Sequence, residues 1–200
     1  MVREFIEASF KSFLLDQKAI NYIKKNSVST QKVAVISWVL LSLMYFILIG
    51  ISTFYTLRIF IFDIQVVLAF VSVFLLLSFL VTGFYILFLT FVLQTFLELI
   101  GKTTDVYKTL KIVSVVLIPL YTGVFLLNML WIIFELNVFL LSLIIALVSV
   151  IVVWGIVVLI LLATKIHKIE FGKSVASVIA TEFTIVFLLA LLTISVYFIY

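Results

Sequence analysis

Five stretches of the chain are almost free of charged side chains and are long enough to form membrane-spanning helices. A helix that crosses the roughly 30 Å hydrocarbon core of a bilayer needs about 20 apolar residues. The pattern therefore predicts an all-α fold, a polytopic membrane helix bundle with five transmembrane helices. We place these spans at about 33–56, 66–97, 112–134, 138–164 and 174–200.

The second uncharged run, 64–97, is long enough for one extended helix or for two short crossings joined by a turn. The distribution of basic residues distinguishes the two, because cytoplasmic segments of membrane proteins collect Lys and Arg. With one helix and an inner N-terminus, segments 1–32, 98–111 and 165–173 lie inside and hold 12 of the 13 Lys and Arg residues. Only Arg58 then lies outside. We therefore predict one long second helix, an inner N-terminus and an outer C-terminus.

Residues 2–25 have the periodicity of an amphipathic helix, with apolar and charged residues on opposite faces. The apolar face contains Val2, Ile6, Phe13 and Ile20, and the charged face contains Arg3, Glu7, Lys11, Lys18 and Lys25. We predict that this helix lies along the inner membrane surface. Residues 1–32 then form the surface helix and a linker, and 33–200 form the bundle. The alternative is that the helix packs beneath its own bundle, and both arrangements are compatible with each other.

The composition narrows the class of protein. Hydrophobic residues make up 66% of the chain and charged residues 11%, with a mean hydropathy of +1.48. Soluble domains are about half apolar and about a quarter charged. An ordinary soluble enzyme, a disordered tail and a nucleic-acid-binding domain are therefore excluded, and the net charge of +4 is explained by the basic inner segments.

The chain offers little material for catalysis or cofactor binding. It has no cysteine and one histidine, so disulfides, iron–sulfur clusters and zinc sites built from Cys or several His residues are excluded. It also has no Gly-rich phosphate loop, no nucleophile elbow and no HExxH motif. We expect no cofactor, no metal and no enzymatic activity.

Glu182 is the one charged residue within a predicted span. Carboxyl groups within a membrane are energetically costly and usually face protein or water. One hypothesis is that Glu182 forms a proton or cation site. The alternative is a neutral glutamic acid that is hydrogen-bonded to Thr181, Thr184 or a neighbouring helix.

Three further residues within the third span are candidates for a structural or functional role. Pro119 and Gly123 lie near the middle of the span. The proline is expected to kink the helix, which either opens a pocket or fits the helix around its neighbours. Asn128 is expected to form a hydrogen bond to another helix. On the last span, Ser174, Ser177, Ala180, Thr181 and Thr184 form a stripe of small residues that permits close packing within the chain or between chains.

The inner segments supply a set of candidate interaction residues. Lysines there are suited to anionic lipid headgroups or to a protein partner. The set consists of Lys11, Lys18, Lys25, Lys102, Lys108, Lys111, Lys165, His167 and Lys168. We interpret His167 as a solvated loop residue, because a single histidine among lysines is a poor metal site.

Several short segments resemble the Yip family of Ypt/Rab-interacting membrane proteins, which has many prokaryotic relatives. The similarity is found in 99–102 and 107–113, in Pro119 followed by Gly123, and in the loop segment 165–176. The five spans with an inner N-terminus resemble the family layout as well. The resemblance implies a membrane-organising or adaptor protein without enzyme activity, and it identifies no catalytic residue.

Three functional hypotheses follow. The first is a non-enzymatic membrane scaffold or adaptor that contacts lipid and a protein partner at the inner face. The second is a small transporter or channel that uses Glu182, and a cavity reaching this residue would favour it. The third is a lipid-modifying enzyme, with Glu98, Asp105, His167 and Glu170 as its acid–base groups. We also expect a multi-pass location, in the cell membrane if the chain is prokaryotic, no nucleic acid partner, and a homo-oligomer as one arrangement.

Overall fold

A computed structural model describes residues 2–25, 30–56, 64–100, 105–134 and 138–199. These residues form seven helices and no strand. The helices are α1 (Val2–Phe13), α2 (Gln17–Lys25), α3 (Thr30–Thr56), α4 (Ile64–Leu99), α5 (Val106–Phe134), α6 (Val138–His167) and α7 (Phe171–Ile199). Arg58, Lys102 and the predicted outer loops lie outside the described residues.

Helices α3 to α7 are each long and apolar enough to cross a membrane. The predicted all-α bundle of five spans is therefore confirmed. The second run forms one continuous helix of 36 residues, as the charge distribution predicts. We call the end of the bundle where α4 ends, α5 begins and α6 turns into α7 the basic end, because the described lysines of these helices lie there.

Helix α5 is the central element of the bundle. It packs against α1, α3, α4 and α6. Every residue from Ile112 to Pro119 is buried, so this stretch contacts protein on all sides. A transmembrane helix surrounded in this way fixes the positions of its neighbours, because packing between helices replaces their contacts with lipid.

Helices α4, α5, α6 and α7 form a ring in which each helix packs against two others, and α3 packs outside it on α4 and α5. Polar side chains connect these helices. The indole Nε1 of Trp38 on α3 donates a hydrogen bond of 2.6 Å to the backbone carbonyl of Phe79 on α4. The hydroxyl groups of Ser42 and Thr82 bond each other across the same interface. Hydrogen bonds of this kind stabilise helix association in a membrane.

The predicted N-terminal helix consists of two helices instead of one. Residues 14–16 form a turn, in which Leu15 has a positive φ of 61°. The carboxylate of Asp16 accepts a hydrogen bond of 2.8 Å from the backbone N–H of Lys18, which caps the start of α2. Asp16, which interrupts the apolar face, therefore ends one helix and begins the next.

The α1–α2 hairpin packs against the bundle through its apolar side chains. Phe5, Ile20 and Ile23 are buried in the main hydrophobic cluster. Helix α1 contacts α5 and α6. The N-terminal segment therefore packs against its own bundle, as the alternative has it, and its location along the membrane surface stays a prediction.

The turn of the hairpin extends alongside α6 toward the middle of the bundle. Trp154 Nε1 donates a hydrogen bond of 2.8 Å to the backbone carbonyl of Phe13, at the end of α1. Trp154 precedes the last residue of α6, His167, by 13 residues, which is about 20 Å along the helix. Nearer the basic end, Lys165 Nζ donates a hydrogen bond of 3.0 Å to the side-chain oxygen of Gln17.

Helices α5 and α6 approach closely at Gly155. A Cβ atom at this position would clash with Leu120 Cδ1 and would lie 3.8 Å from the ring of Phe13. On the same interface, a Cβ at Gly123 would lie 3.1 Å from Ile151 Cδ1. Both glycines therefore permit contacts that a larger residue would disturb.

We expect Gly155→Val to destabilise the protein by about 1–3 kcal/mol, because the added side chain overpacks the α5–α6 interface. Thermal unfolding of the purified protein in detergent measures the effect. Gly50→Val is the matched control, since nothing lies within 4 Å of a Cβ at Gly50 in α3. Equal melting temperatures for the two variants would contradict the assignment of this close contact.

Candidate functional site

A chain of polar side chains, buried at Gln94, Thr109 and His167 and exposed at Glu98, connects α4, α5 and α6 at the basic end. Thr109 Oγ1 donates a hydrogen bond of 2.6 Å to Gln94 Oε1, and it lies 3.1 Å from His167 Nε2. Gln94 Nε2 in turn donates to Glu98 Oε1. Because the single hydroxyl proton of Thr109 is directed to Gln94, His167 is the donor in the contact with Thr109. We call Gln94, Glu98, Thr109 and His167 the polar cluster.

The interpretation of His167 as a solvated loop residue is wrong. His167 is the last residue of α6 and is only 7% exposed. Its ring is buried because it bonds Thr109 on the neighbouring helix. Gln94 and Thr109 were not singled out from the sequence. Gln94 carries a signal that could have marked it, because it is a polar residue near the end of the uncharged run 64–97.

The fold brings together only two of the four residues proposed as acid–base groups of a lipid-modifying enzyme. Glu98 and His167 both belong to the polar cluster. Asp105 instead caps the start of α5, where its carboxylate accepts a hydrogen bond of 2.9 Å from the Tyr107 N–H. Glu170 is exposed and pairs with Lys173 at 3.6 Å. Among the described residues, no group of three His, Asp or Glu side chains is arranged to hold a metal ion.

The candidate lysines are distributed around the basic end and interact with different groups. Lys108 lies 4.0 Å from Asp105, and Lys165 bonds Gln17. Lys111 and Lys168 each take part in an interaction within the described structure, and Lys168, with a φ of 54°, ends α6. Lys25 is the last residue of α2, and its side chain lies outside the described residues together with Lys102. The described lysines therefore differ in their interaction partners.

Glu7 and Lys11 form an ion pair of 2.7 Å on the exposed face of α1. The hydrogen bond from Lys11 lowers the pKa of the Glu7 carboxyl, and the same bond raises the pKa of Lys11. The pair is therefore ionised at neutral pH and is lost as the pH falls through the lowered pKa of Glu7. Because both groups are fully exposed, the pair shapes the charge pattern of α1 more than its stability.

Glu182 lies on a cavity inside the ring of α4, α5, α6 and α7. The cavity has a volume of about 270 Å³. Most of its lining side chains are aliphatic, and its other polar side chains are Tyr85 on α4 and Tyr121 on α5. The two phenol rings meet edge to face with their centroids 6.1 Å apart. Glu182 is the twelfth residue of α7, about 16 Å from its start, so the cavity lies in the interior of the spans.

The predicted partners of Glu182 bond elsewhere. The hydroxyl of Thr181 donates to the Ser177 carbonyl at 2.8 Å, and that of Thr184 donates to the Ala180 carbonyl at 2.8 Å. Within the part of the chain that the structure describes, no hydrogen bond reaches the Glu182 carboxyl. The hypothesis that Glu182 is hydrogen-bonded to Thr181 or Thr184 is therefore wrong.

The other candidates in the third span have structural roles. Pro119 is buried within a helix that continues through it, and neither Pro119 nor Gly123 lines the cavity. In the described part of the chain, Asn128 bonds its own helix and not a neighbouring one as predicted, with its Nδ2 donating to the Val124 carbonyl at 2.8 Å. The small-residue stripe of α7 packs within the chain, where Ser174, Ser177 and Thr181 are buried.

These features define a multi-pass helical membrane protein with a polar cluster at its basic end and a cavity between its helices that is lined by one carboxyl group. Compared with protein-family models, with curated proteins and with solved structures, the chain matches none.

We expect Thr109→Val to destabilise the protein by about 1–3 kcal/mol, because it removes the hydroxyl that joins Gln94 to His167 in a buried site. Thermal unfolding in detergent measures the change. Thr95→Val is the matched control, since Thr95 is exposed on α4 and its hydroxyl bonds only the backbone carbonyl of Phe91. A loss of stability no larger than that of the control would show that the cluster does not hold the helices together.

Proposed function

We propose that the protein is a non-enzymatic membrane adaptor of the Yip type, which binds a protein partner through the α1–α2 hairpin. One observation supports this proposal above all others. The apolar side chains of the hairpin pack against the bundle, while its charged side chains line an open groove. A surface that is held by a membrane domain and exposes charge is suited to recognition by a partner.

The groove lies between α1 and α2 and has a volume of about 330 Å³. Its lining consists of Glu4, Glu7, Ala8, Lys11, Asp16, Lys18, Ala19 and Tyr22. Acidic and basic side chains alternate there, with three carboxylates and two ammonium groups. An anionic lipid surface attracts clusters of basic residues, whereas this mixed pattern complements a protein surface with its own charges of both signs. We therefore favour a protein partner over a headgroup at this groove.

The orientation of the protein is part of the proposal. Lysines flank the basic end of the bundle, and cytoplasmic segments are enriched in Lys and Arg. We therefore assign the basic end of the bundle to the inner side of a bilayer, the cell membrane if the protein is prokaryotic. The five spans and the proline within the third span support the Yip-type assignment.

Photo-crosslinking in intact cells tests the adaptor proposal. A photoreactive amino acid replaces Tyr22 in the groove, and in a matched control it replaces Leu80, a lipid-exposed residue of α4. We expect a defined cytoplasmic protein to crosslink at position 22 and not at position 80. The charge-swapped variant Glu7→Lys with Lys11→Glu keeps the ion pair but reverses its pattern, so we expect it to reduce the product at least severalfold.

Several outcomes would contradict the proposal. Crosslinks to lipid alone at position 22 would favour a headgroup-binding surface. A partner from the opposite side of the membrane would contradict the assigned orientation. An equal yield from the charge-swapped variant would show that the groove charges do not recognise the partner.

Transport is the second candidate function, because Glu182 lies on a cavity within the spans. If it is correct, purified protein in liposomes will dissipate a proton or cation gradient, and Glu182→Gln will reduce the rate to that of empty liposomes. Glu170→Gln is the control, since this carboxylate is exposed at the α6–α7 turn. Equal rates for both variants would exclude a role for Glu182 in such a flux.

A further inference from the structure

The cavity inside the helix ring combines one acidic group, two phenol rings and aliphatic walls. Its lining contains Glu182, Tyr85 and Tyr121, with side chains such as Leu117, Val152 and Leu159 completing the walls. Binding sites for small molecules are typically concave and mostly apolar, with a few polar groups that fix the orientation of the ligand. The cavity has this composition.

Among the residues that the structure describes, the acidic group has no cationic partner. No Lys, Arg or His is among the described residues that line the cavity. A carboxylate in an apolar environment is unfavourable unless it is paired or hydrogen-bonded. A ligand that carries a positive charge would supply the missing partner.

The two tyrosines add a second feature that favours a cation. The rings of Tyr85 and Tyr121 meet edge to face at 6.1 Å, with an angle of 68° between their planes. The face of an aromatic ring carries a negative quadrupole that attracts cations within about 6 Å. Phenol rings therefore provide an attraction that aliphatic side chains cannot.

The number of oxygen atoms distinguishes an organic cation from a divalent metal ion. Ca²⁺ and Mg²⁺ take about six or more oxygen ligands. Besides Glu182, the side chains that line the cavity offer only the two phenol oxygens. The aliphatic walls instead match the apolar groups of an alkylated ammonium ion.

We propose that this cavity binds a small organic cation with an apolar body, such as a quaternary or protonated amine, through Glu182, Tyr85 and Tyr121. The volume of about 270 Å³ limits the ligand to a small molecule and excludes a whole phospholipid. This site is distinct from the hairpin groove, and binding there requires neither an adaptor partner nor transport.

Binding of radiolabelled benzyltrimethylammonium to the purified full-length chain in nanodiscs tests the proposal. We expect saturable binding to the unaltered protein. Glu182→Gln keeps the size of the side chain and removes its charge, so we expect an affinity about 30-fold lower or weaker. Glu170→Gln removes an exposed carboxylate outside the cavity and is expected to bind as the unaltered protein does.

Two further comparisons separate charge recognition from simple burial of an apolar molecule. Tyr121→Phe retains the ring and is expected to change the affinity less than about threefold, whereas Tyr121→Leu removes the ring and is expected to weaken binding further. Neopentylbenzene is the uncharged carbon isostere of the probe. Although it concentrates in the bilayer, we expect it to compete poorly, because it cannot pair with Glu182.

Three results would overturn the proposal: no saturable binding to a correctly folded protein, equal affinity in Glu182→Gln, or equal competition by neopentylbenzene. The melting temperature of each variant establishes that it is folded. A failed crosslink at the hairpin would leave the binding result unaffected, so the two proposals fail separately.

Discussion

The need to satisfy polar groups within an apolar environment is the constraint on which the rest of this structure depends. Most buried hydroxyl groups return to the carbonyl four residues earlier in their own helix, as Thr90 does to Ile86 at 2.7 Å. Others connect helices, as Ser42 and Thr82 do. Each such bond removes an unsatisfied group and allows the α-helices to approach one another. Among the described residues of the membrane spans, Glu182 is a charged residue with no such bond, and it also lines the cavity.

The central position of α5 relates the two candidate sites. Its first turns carry Thr109 of the polar cluster, and its middle carries Leu120 and Tyr121 of the cavity wall. Gly155 on α6 also lines the cavity, and a Cβ there would lie 3.8 Å from Phe13 at the end of α1. The hairpin turn and the cavity therefore both adjoin Gly155, at the close contact between α5 and α6.

The sequence predicted the membrane spans more accurately than it predicted the surroundings of the candidate site residues. The uncharged runs predicted all five long helices, because the length of an apolar run is a local property of the sequence. The distribution of basic residues predicted one long α4 instead of two short helices, because it depends only on where Lys and Arg lie along the chain. The two helices of the N-terminal segment were not predicted, although Asp16 on the apolar face marked the position of the turn. His167 and Asn128 were misplaced because a polar side chain in an apolar helix has several partners within reach, and periodicity does not select among them.

The sequence by itself determined that the chain is helical, that five of its helices are long and apolar enough to span a membrane, and that the lysines of α5, α6 and α7 lie toward one end of these helices. It could do so because a bilayer demands long apolar helices and internal backbone hydrogen bonds. Only the tertiary structure decided that α5 is central, that His167 is buried against Thr109, and that Glu182 shares a cavity with Tyr85 and Tyr121. Each of these contacts joins residues from different helices and depends on which faces of the helices meet. A sequence that is apolar on almost every face of its helices carries little information about which faces meet.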